Sequence, residues 1–399
     1  MTDKQYQAYK TYQRFTQICL TIGGCWYMPT KSGKPAYYWP VCVVCLTIMN
    51  AVIRFNLIYI SRHNLVHMMK FVGNLMSAIG CLIKVISFLI NRGSLINHHR
   101  TLNESFEEEF MQNKKIRTMI LSSQRKIYIV TYTYTTILVT LLLMIYAASY
   151  IHIIRDLFHL RLTINYTLPM SKGYGYFWSV PDNFLYHLHL LIETILSSLG
   201  VVTASGVDSI FGFYVYQFVS TLRFMTFRLS NNLSIESFSD QLRTYIKKHQ
   251  KLLQCRNTLE HVYGPIILWH VITNAMFMCT MMYEMIHLSN FNLRYVLIFL
   301  MYTSVKLFQT FIYAWCGTIL TNASEDFRNG IYFGKWHNSK LDHYVRVNVI
   351  LMLMQKPMTI KAIFLSVDIV MFANVSFYII ITRVSLSKTL TESFSFIAR

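Results

Sequence analysis

YVLIFLMYTSVKLFQTFIYAWCGTIL, residues 295–320, is a nearly unbroken apolar run. A helix needs roughly 20 apolar residues to cross a bilayer, so this stretch predicts a span. It stops at Asn322-Ala323-Ser324-Glu325-Asp326, which carries the hydroxyl cap and first-turn acids of a helix start. A short segment ends in Ile331-Tyr332-Phe333-Gly334-Lys335-Trp336, and Ser339 with Asp342 three residues on forms a variant capping box. The amphipathic helix it opens runs to about Gln355, where Pro357 forces a new beginning. A second apolar run, Ile363 to Ile381, crosses again. The unit is span, connecting helix, span.

Composition extends that reading to the whole chain. Of 399 residues 54% are hydrophobic and only 14% charged, against about 25% charged in a soluble domain. The net charge of +19 is not a nucleic-acid footprint, because the basic residues fall between apolar runs rather than in one patch. Of eight cysteines, Cys42, Cys45, Cys81, Cys279 and Cys316 lie in apolar runs and none in a predicted outer loop. That leaves no disulfide framework and no CxxC metal pattern. The run Phe15–Met28 is too short to span and lacks a cleavage site, so it predicts a short interfacial or re-entrant helix within residues 1–37.

Seven spans follow: about 38–60, 71–90, 128–151, 184–209, 266–287, 296–320 and 363–382. Lysines and arginines decide orientation: 25 fall in residues 1–37, 91–127, 223–262 and 322–362, and nine in the other loops and the tail. This split predicts a cytoplasmic N-terminus and an extracellular C-terminus. Of five Asn-x-Ser/Thr sequons only Asn165-Tyr166-Thr167 lies in an outer loop, so Asn165 is the expected glycosylation site. G-protein-coupled receptors have the opposite orientation, and their acidic-Arg-Tyr and Asn-Pro-x-x-Tyr motifs are missing here. No G protein is expected.

Two spans outrun the membrane. The fourth continues from Asn183 to Leu222, which as a helix extends about 60 Å. The fifth begins near Ser239 with Leu242, Ile246, Leu252 and Leu253 on one side, and bends at Gly264-Pro265. With the helix at 339–355 they predict a cytoplasmic helical layer whose apolar stripe needs a partner, hence an assembly surface. The expected fold is an all-α, polytopic membrane protein of seven transmembrane helices with this anchor layer. Its divisions are an N-terminal segment (1–37), spans one to six (38–320), the connection and assembly helix (321–357), a pore-lining span (358–384) and an extracellular tail (385–399).

Tyr313-Ala314-Trp315-Cys316-Gly317, then Ser324, Tyr332 and Trp336, resemble the C-terminal signature of insect odorant receptors. Pro357, Ser366-Val367-Asp368 and Ser376-Phe377-Tyr378 resemble its continuation. The resemblance implies a tetrameric, ligand-gated, non-selective cation channel in the plasma membrane of a sensory dendrite, with this chain as the tuning subunit beside a common co-receptor. It implies a pore lined by the outer end of the last span, with gate positions among Ser376, Ile380, Arg383 and Val384. An arginine at the mouth repels cations, so the co-receptor is expected to dominate pore properties. From the residues alone, the small side chains of that span suit close helix packing equally well. Asp368 and Asn374 are expected to bond neighbouring helices.

The resemblance also implies an apolar cavity in the outer half of the membrane, among spans two, three, four and six with help from five. Positions at suitable depth are Phe71, Leu75, Ala78, Met144, Ala147, Ile151, Leu188, Ile192, Ile195, Tyr283 and Tyr302. They offer aliphatic, aromatic and Met surface without charge, suited to a small apolar or volatile ligand. Core packing or lipid contact accounts for the same residues. Among charges at membrane depth, Arg54 and Lys84 are expected to snorkel, and Lys306 to pair with Glu193 or Asp368. No HExxH, phosphate loop or nucleophile elbow occurs, and His98-His99 and His187/His189 lack a third ligand. No enzymatic activity, metal or cofactor is expected. A gustatory receptor channel of the same superfamily and a membrane transporter are the alternative readings.

Overall fold

The computed structural model describes residues 2–29, 37–63, 65–110, 114–158, 168, 184–230, 235–286, 293–333 and 343–375. Its helices are α1 (Thr2–Ile22), α2 (Tyr38–Ile60), α3 (Leu65–Ile90), α4 (Arg92–Phe110), α5 (Lys114–Leu157), α6 (Phe184–Ser230), α7 (Ile235–Ile286), α8 (Leu293–Tyr332) and α9 (His343–Met354). A small antiparallel pair follows, β1 (Lys361–Ala362) and β2 (Leu365–Ser366). A further helix occupies 369–375. The architecture is all-α. Among the described residues, Tyr38–Ile60, Phe71–Ile90, Arg125–Arg155 and Tyr186–Leu229 are long and apolar enough to cross a membrane. The expected fifth and sixth spans are helical stretches of α7 and α8.

Helices α5 to α8 have 44, 47, 52 and 40 residues. At 1.5 Å per residue they reach about 60–78 Å, roughly twice the hydrocarbon thickness. The bundle thus has a loop end, where α2 meets α3, and an extension end, where these helices project beyond it. The axis is α6, which packs against seven of the other helices. Every side chain from Ser205 to Leu222 is buried, the pattern of a helix enclosed on all sides.

The N-terminal helix is longer than expected. It starts at Thr2 rather than Phe15 because Tyr9 and Tyr12 continue the buried stripe of Thr16, Cys19 and Leu20 into an otherwise polar stretch. The Tyr12 hydroxyl donates to the Ser209 carbonyl at 3.0 Å. Gly206 permits this approach: a Cβ there would stand about 3.0 Å from the Leu20 backbone nitrogen. The helix is packed on α5 and α6.

Two boundaries near the C-terminus also differ. The polar break at 322–326 does not end a helix, and α8 runs through it to Tyr332. Ala323 and Ser324 face inward there while Glu325 and Asp326 face out, so the cap-forming residues serve as two faces of one helix. The last helix begins at 369, not 363. Residues 358–368 form a connector whose apolar character comes from packing on α7 and α8: Met358, Ile360, Ala362 and Val367 are all buried. Asp368 starts the helix, its Oδ1 accepting the Met371 N–H at 2.7 Å and its Oδ2 the Ser366 hydroxyl at 3.0 Å. It is a cap rather than an interhelical bond within a span.

Candidate ligand cavity

A cavity of about 210 Å³ lies between α2, α3, α5, α6, α7 and α8. Its aliphatic and aromatic walls include Leu138, Leu141, Ile145, Leu196, Trp269, Tyr302 and Val305. Polar groups enter from every side: Asn50 and Arg54 on α2, Asn74 and Lys84 on α3, His270 and Thr273 on α7, Lys306 and Gln309 on α8. An engineered apolar cavity of about 150 Å³ admits benzene, so this volume suits a ring with a short substituent. The expected lining was uncharged. The observed one carries three cationic side chains.

Behind the wall sits Asp208, near the middle of α6 and 2% exposed. Its carboxylate accepts four bonds: Lys84 Nζ at 2.7 Å, Tyr134 Oη at 2.9 Å, Gln309 Nε2 at 2.6 Å and Tyr313 Oη at 2.5 Å. Three of these donors, Lys84, Tyr134 and Gln309, also line the cavity. One carboxylate therefore ties α3, α5 and α8 to α6. Breaking such a buried pair from one side costs about 3–5 kcal/mol, because the other charge stays desolvated.

These positions overturn three expectations. Lys84 and Arg54 do not snorkel: both are buried, Lys84 on Asp208 and Arg54 with its Nε on Asn50 Oδ1 at 3.3 Å. Lys306 pairs with neither Glu193 nor Asp368. Asp208 bonds residues 101 and 105 positions later on α8, so Glu193 stands level with about residue 296. Lys306 lies some ten residues farther, about 15 Å along the axis, and Asp368 is engaged in its cap. The sequence reading overlooked Asp208. The available signal was a second acid, after Glu193, inside the longest apolar run, with an isolated lysine at 84.

Of the expected ligand positions, Ala78 and Tyr302 line the cavity. Phe71 packs in a separate cluster with Ile53, Leu57 and Leu196, against which Ile192 rests. Ala147, Ile151, Leu188 and Ile195 face outward, and Leu75 and Met144 are half-buried away from the lining. The register of α5 and α6 about their own axes turns these faces toward the surroundings. The side chain of Tyr283 lies outside the described residues, as do Ser376, Ile380, Arg383, Val384, Trp336 and Asn165.

The C-terminal motif residues have physical roles. Gly317 lies under the connector: a Cβ there would sit 1.8 Å from the Val367 carbonyl oxygen. One residue on, Thr318 Oγ1 accepts the Ile369 N–H at 3.0 Å, and Ser324 Oγ accepts the Met358 N–H at 2.8 Å. Glu260 of α7 accepts the Lys361 N–H at 2.8 Å. Tyr332 is exposed at the end of α8. Thus α8 carries two bonds to Asp208 on one stretch and the seat of the last helix one turn further.

The sequence model of a family described as 7tm Odorant receptor matches residues 64–377, which take in this seat and the cavity walls other than that of α2. The chain belongs to that family. Among odorant receptors of Drosophila melanogaster it is similar to Odorant receptor 49a, 20% identical over 70% of each chain, and to Odorant receptor 9a, 24% identical over 53% of this chain and 54% of the relative. The structure of the insect olfactory receptor OR5 from Machilis hrabei in complex with eugenol superposes with a TM-score of 0.77 at 14% identity, covering 96% of this odorant receptor and 99% of that chain. A second structure of that receptor gives 0.74 at 12% identity over 96% and 98%. At this identity the likeness shows the shared fold.

Proposed function

We propose that this odorant receptor is the ligand-tuning subunit of a non-selective cation channel and assembles with a co-receptor in a heterotetramer. The distribution of basic residues supports a cytoplasmic N-terminus and an extracellular C-terminus in the plasma membrane. The extension end is then the cytoplasmic assembly layer, and Asn165 the glycosylation site. The observation that carries the reading is one chain of contacts. The cavity wall supplies Lys84, Tyr134 and Gln309 to Asp208, and Tyr313 on α8 completes that carboxylate. From Tyr313 it is four residues to Gly317 and the seat of the last helix.

A small ligand that fits the cavity better in one bundle arrangement shifts the population toward it. Movement of α8 relative to α6 carries Val367 and Ile369 with it, and so the helix that leads to Ser376, Ile380, Arg383 and Val384, the proposed pore wall. Whole-cell recording tests this. Cation current evoked by an odorant panel only when this chain and the co-receptor are co-expressed is the expected result. Current from the chain alone places it with self-sufficient channels of the gustatory kind. Silence in both, with surface protein verified, rejects the channel reading.

A further inference from the structure

Lys306 meets the cavity with its ammonium unbonded. Tyr302, Val305, Lys306 and Gln309 form the cavity face of α8, whereas Leu297, Leu300 and Ser304 on the opposite face are exposed. The Lys306 carbonyl accepts from Asn274 Nδ2 at 3.2 Å and from Thr310 Oγ1 at 2.9 Å, which pins this turn of α8 to α7. Its side chain is half-buried, and among the described residues the Nζ makes neither an ion pair nor a hydrogen bond. The reason lies in Asp208. Lys306 is drawn to that carboxylate and repelled by Lys84. A carboxylate has about four acceptor sites, and those of Asp208 are taken by Lys84, Tyr134, Gln309 and Tyr313. Asp208 therefore offsets charge around Lys306 without bonding it.

An ammonium has three donors and no acceptor. A purely apolar body that fills the cavity takes it out of water and returns nothing, which is costly. A ligand that carries an acceptor oxygen completes it. Net charge on that ligand is disfavoured on either sign. A cation would face both lysines, and an anion would shed its water only to face the Asp208 carboxylate as well. A neutral carbonyl turns the negative end of its dipole on Lys306 without either penalty. We propose that the cavity selects small neutral carbonyl compounds, ketones or aldehydes on a compact apolar body, whose oxygen accepts from Lys306 Nζ. This rests on the reading of the cavity as the ligand site, and it names the polar anchor and the ligand class. The cavity of about 210 Å³ admits a ring of benzene size with a short carbonyl substituent. Gln309, one turn along α8, bonds Asp208, so the anchored ligand sits on the helix that seats the last one.

The test uses the full chain purified in lipid nanodiscs at neutral pH, with acetophenone and its hydrocarbon isostere cumene as matched probes. Trp269 lines the cavity, so binding is read as the part of the Trp emission change that Trp269→Phe removes. Lys306→Met should weaken acetophenone by about tenfold or more, the worth of a hydrogen bond to a charged group. Cumene binding should stay nearly unchanged, which shows that the variant is folded and cancels differences in lipid partition. Lys306→Arg, which keeps a donor, should retain most of the acetophenone affinity. The infrared carbonyl stretch of bound acetophenone is a readout that packing alone does not move. It should lie lower in wild type than in Lys306→Met. If Lys306→Met does not fold, the wild-type stretch decides, and it should lie below that of acetophenone in nanodiscs without protein. Acetophenone binding untouched by Lys306→Met, a stretch that stays at its lipid value, or benzoate bound more tightly than acetophenone overturns the neutral carbonyl class. Each of these leaves the cavity as a ligand site. No Trp269-dependent change with any probe overturns both.

Discussion

The two halves of α6 are made of similar residues and do different things. From Ser205 to Leu222 every side chain is enclosed. From Tyr186 to Gly200 the same helix shows Leu188, Leu191 and Ile195 to the surroundings, each more than 40% exposed, and gives its other face to a cavity. The enclosed half sits against α1, α4 and α8; the open half meets α2, α3 and the cavity. Close-packed interiors transmit displacement because they deform little, whereas a cavity tolerates changes of shape. One helix can thus receive at one end and transmit at the other, with Asp208 at the junction.

Substitutions at the junction and in the enclosed half should cost stability, in proportion to what they leave unsatisfied. The largest effect is expected for Asp208→Ala, which strands Lys84 and should destabilise by about 3–5 kcal/mol. Surface protein and thermal unfolding in detergent measure it, and pairing with Lys84→Met should restore part of the loss. Gly317→Ala forces a methyl into the Val367 carbonyl. Overpacking costs typically about 1–3 kcal/mol, and here the upper end is expected because backbone must move. Loss of ligand-evoked current beyond the loss of surface protein would mark the seat of the last helix as functional. Ser324→Ala leaves the buried Met358 N–H without its acceptor, about 1–3 kcal/mol. Unfolding of the variant beside wild type reads that loss.

The smallest effect is a pH dependence of the extension end. His98 on α4 is buried between Tyr214 and Phe218, and burial lowers its imidazole to about 3. His249 on α7 is lowered to about 4 for the same reason. Below the ordinary value of 6.5 the unfolded chain takes up protons that the folded chain refuses. Stability is therefore complete above about pH 6.5 and falls as pH drops toward 4. Unfolding at pH 7.5 and 5.5 should show the decline, and His98→Phe should make it shallower, leaving the part due to His249.

Hydropathy made the bundle legible because spans are written in composition. It also showed that α6 exceeds the membrane, since Phe211 to Phe218 leave no polar boundary. Gly317 and Ser324 stood out as motif residues, but their reasons did not, because Val367 and Met358 lie far along the chain and only the fold brings them there. The connector misled for a related cause: Ile360 and Val367 are apolar because they pack on α7 and α8, not because they cross lipid. Helix rotation is the part that sequence withheld. Ala78 and Leu75 are one turn apart on α3, yet only Ala78 reaches the cavity. A shift of α8 by about ten residues against the depth assumed for it separated Lys306 from Glu193 and concealed the role of Asp208.

The cavity as receiver is the central claim, and Ala78→Phe tests it most directly. Ala78 is small and buried in the lining, so a ring there fills ligand space without touching the Asp208 bonds. Odorant-evoked current in cells co-expressing the co-receptor should be lost or moved to smaller ligands, with surface protein and co-receptor complex unchanged. Responses identical to wild type in potency and selectivity would contradict the account.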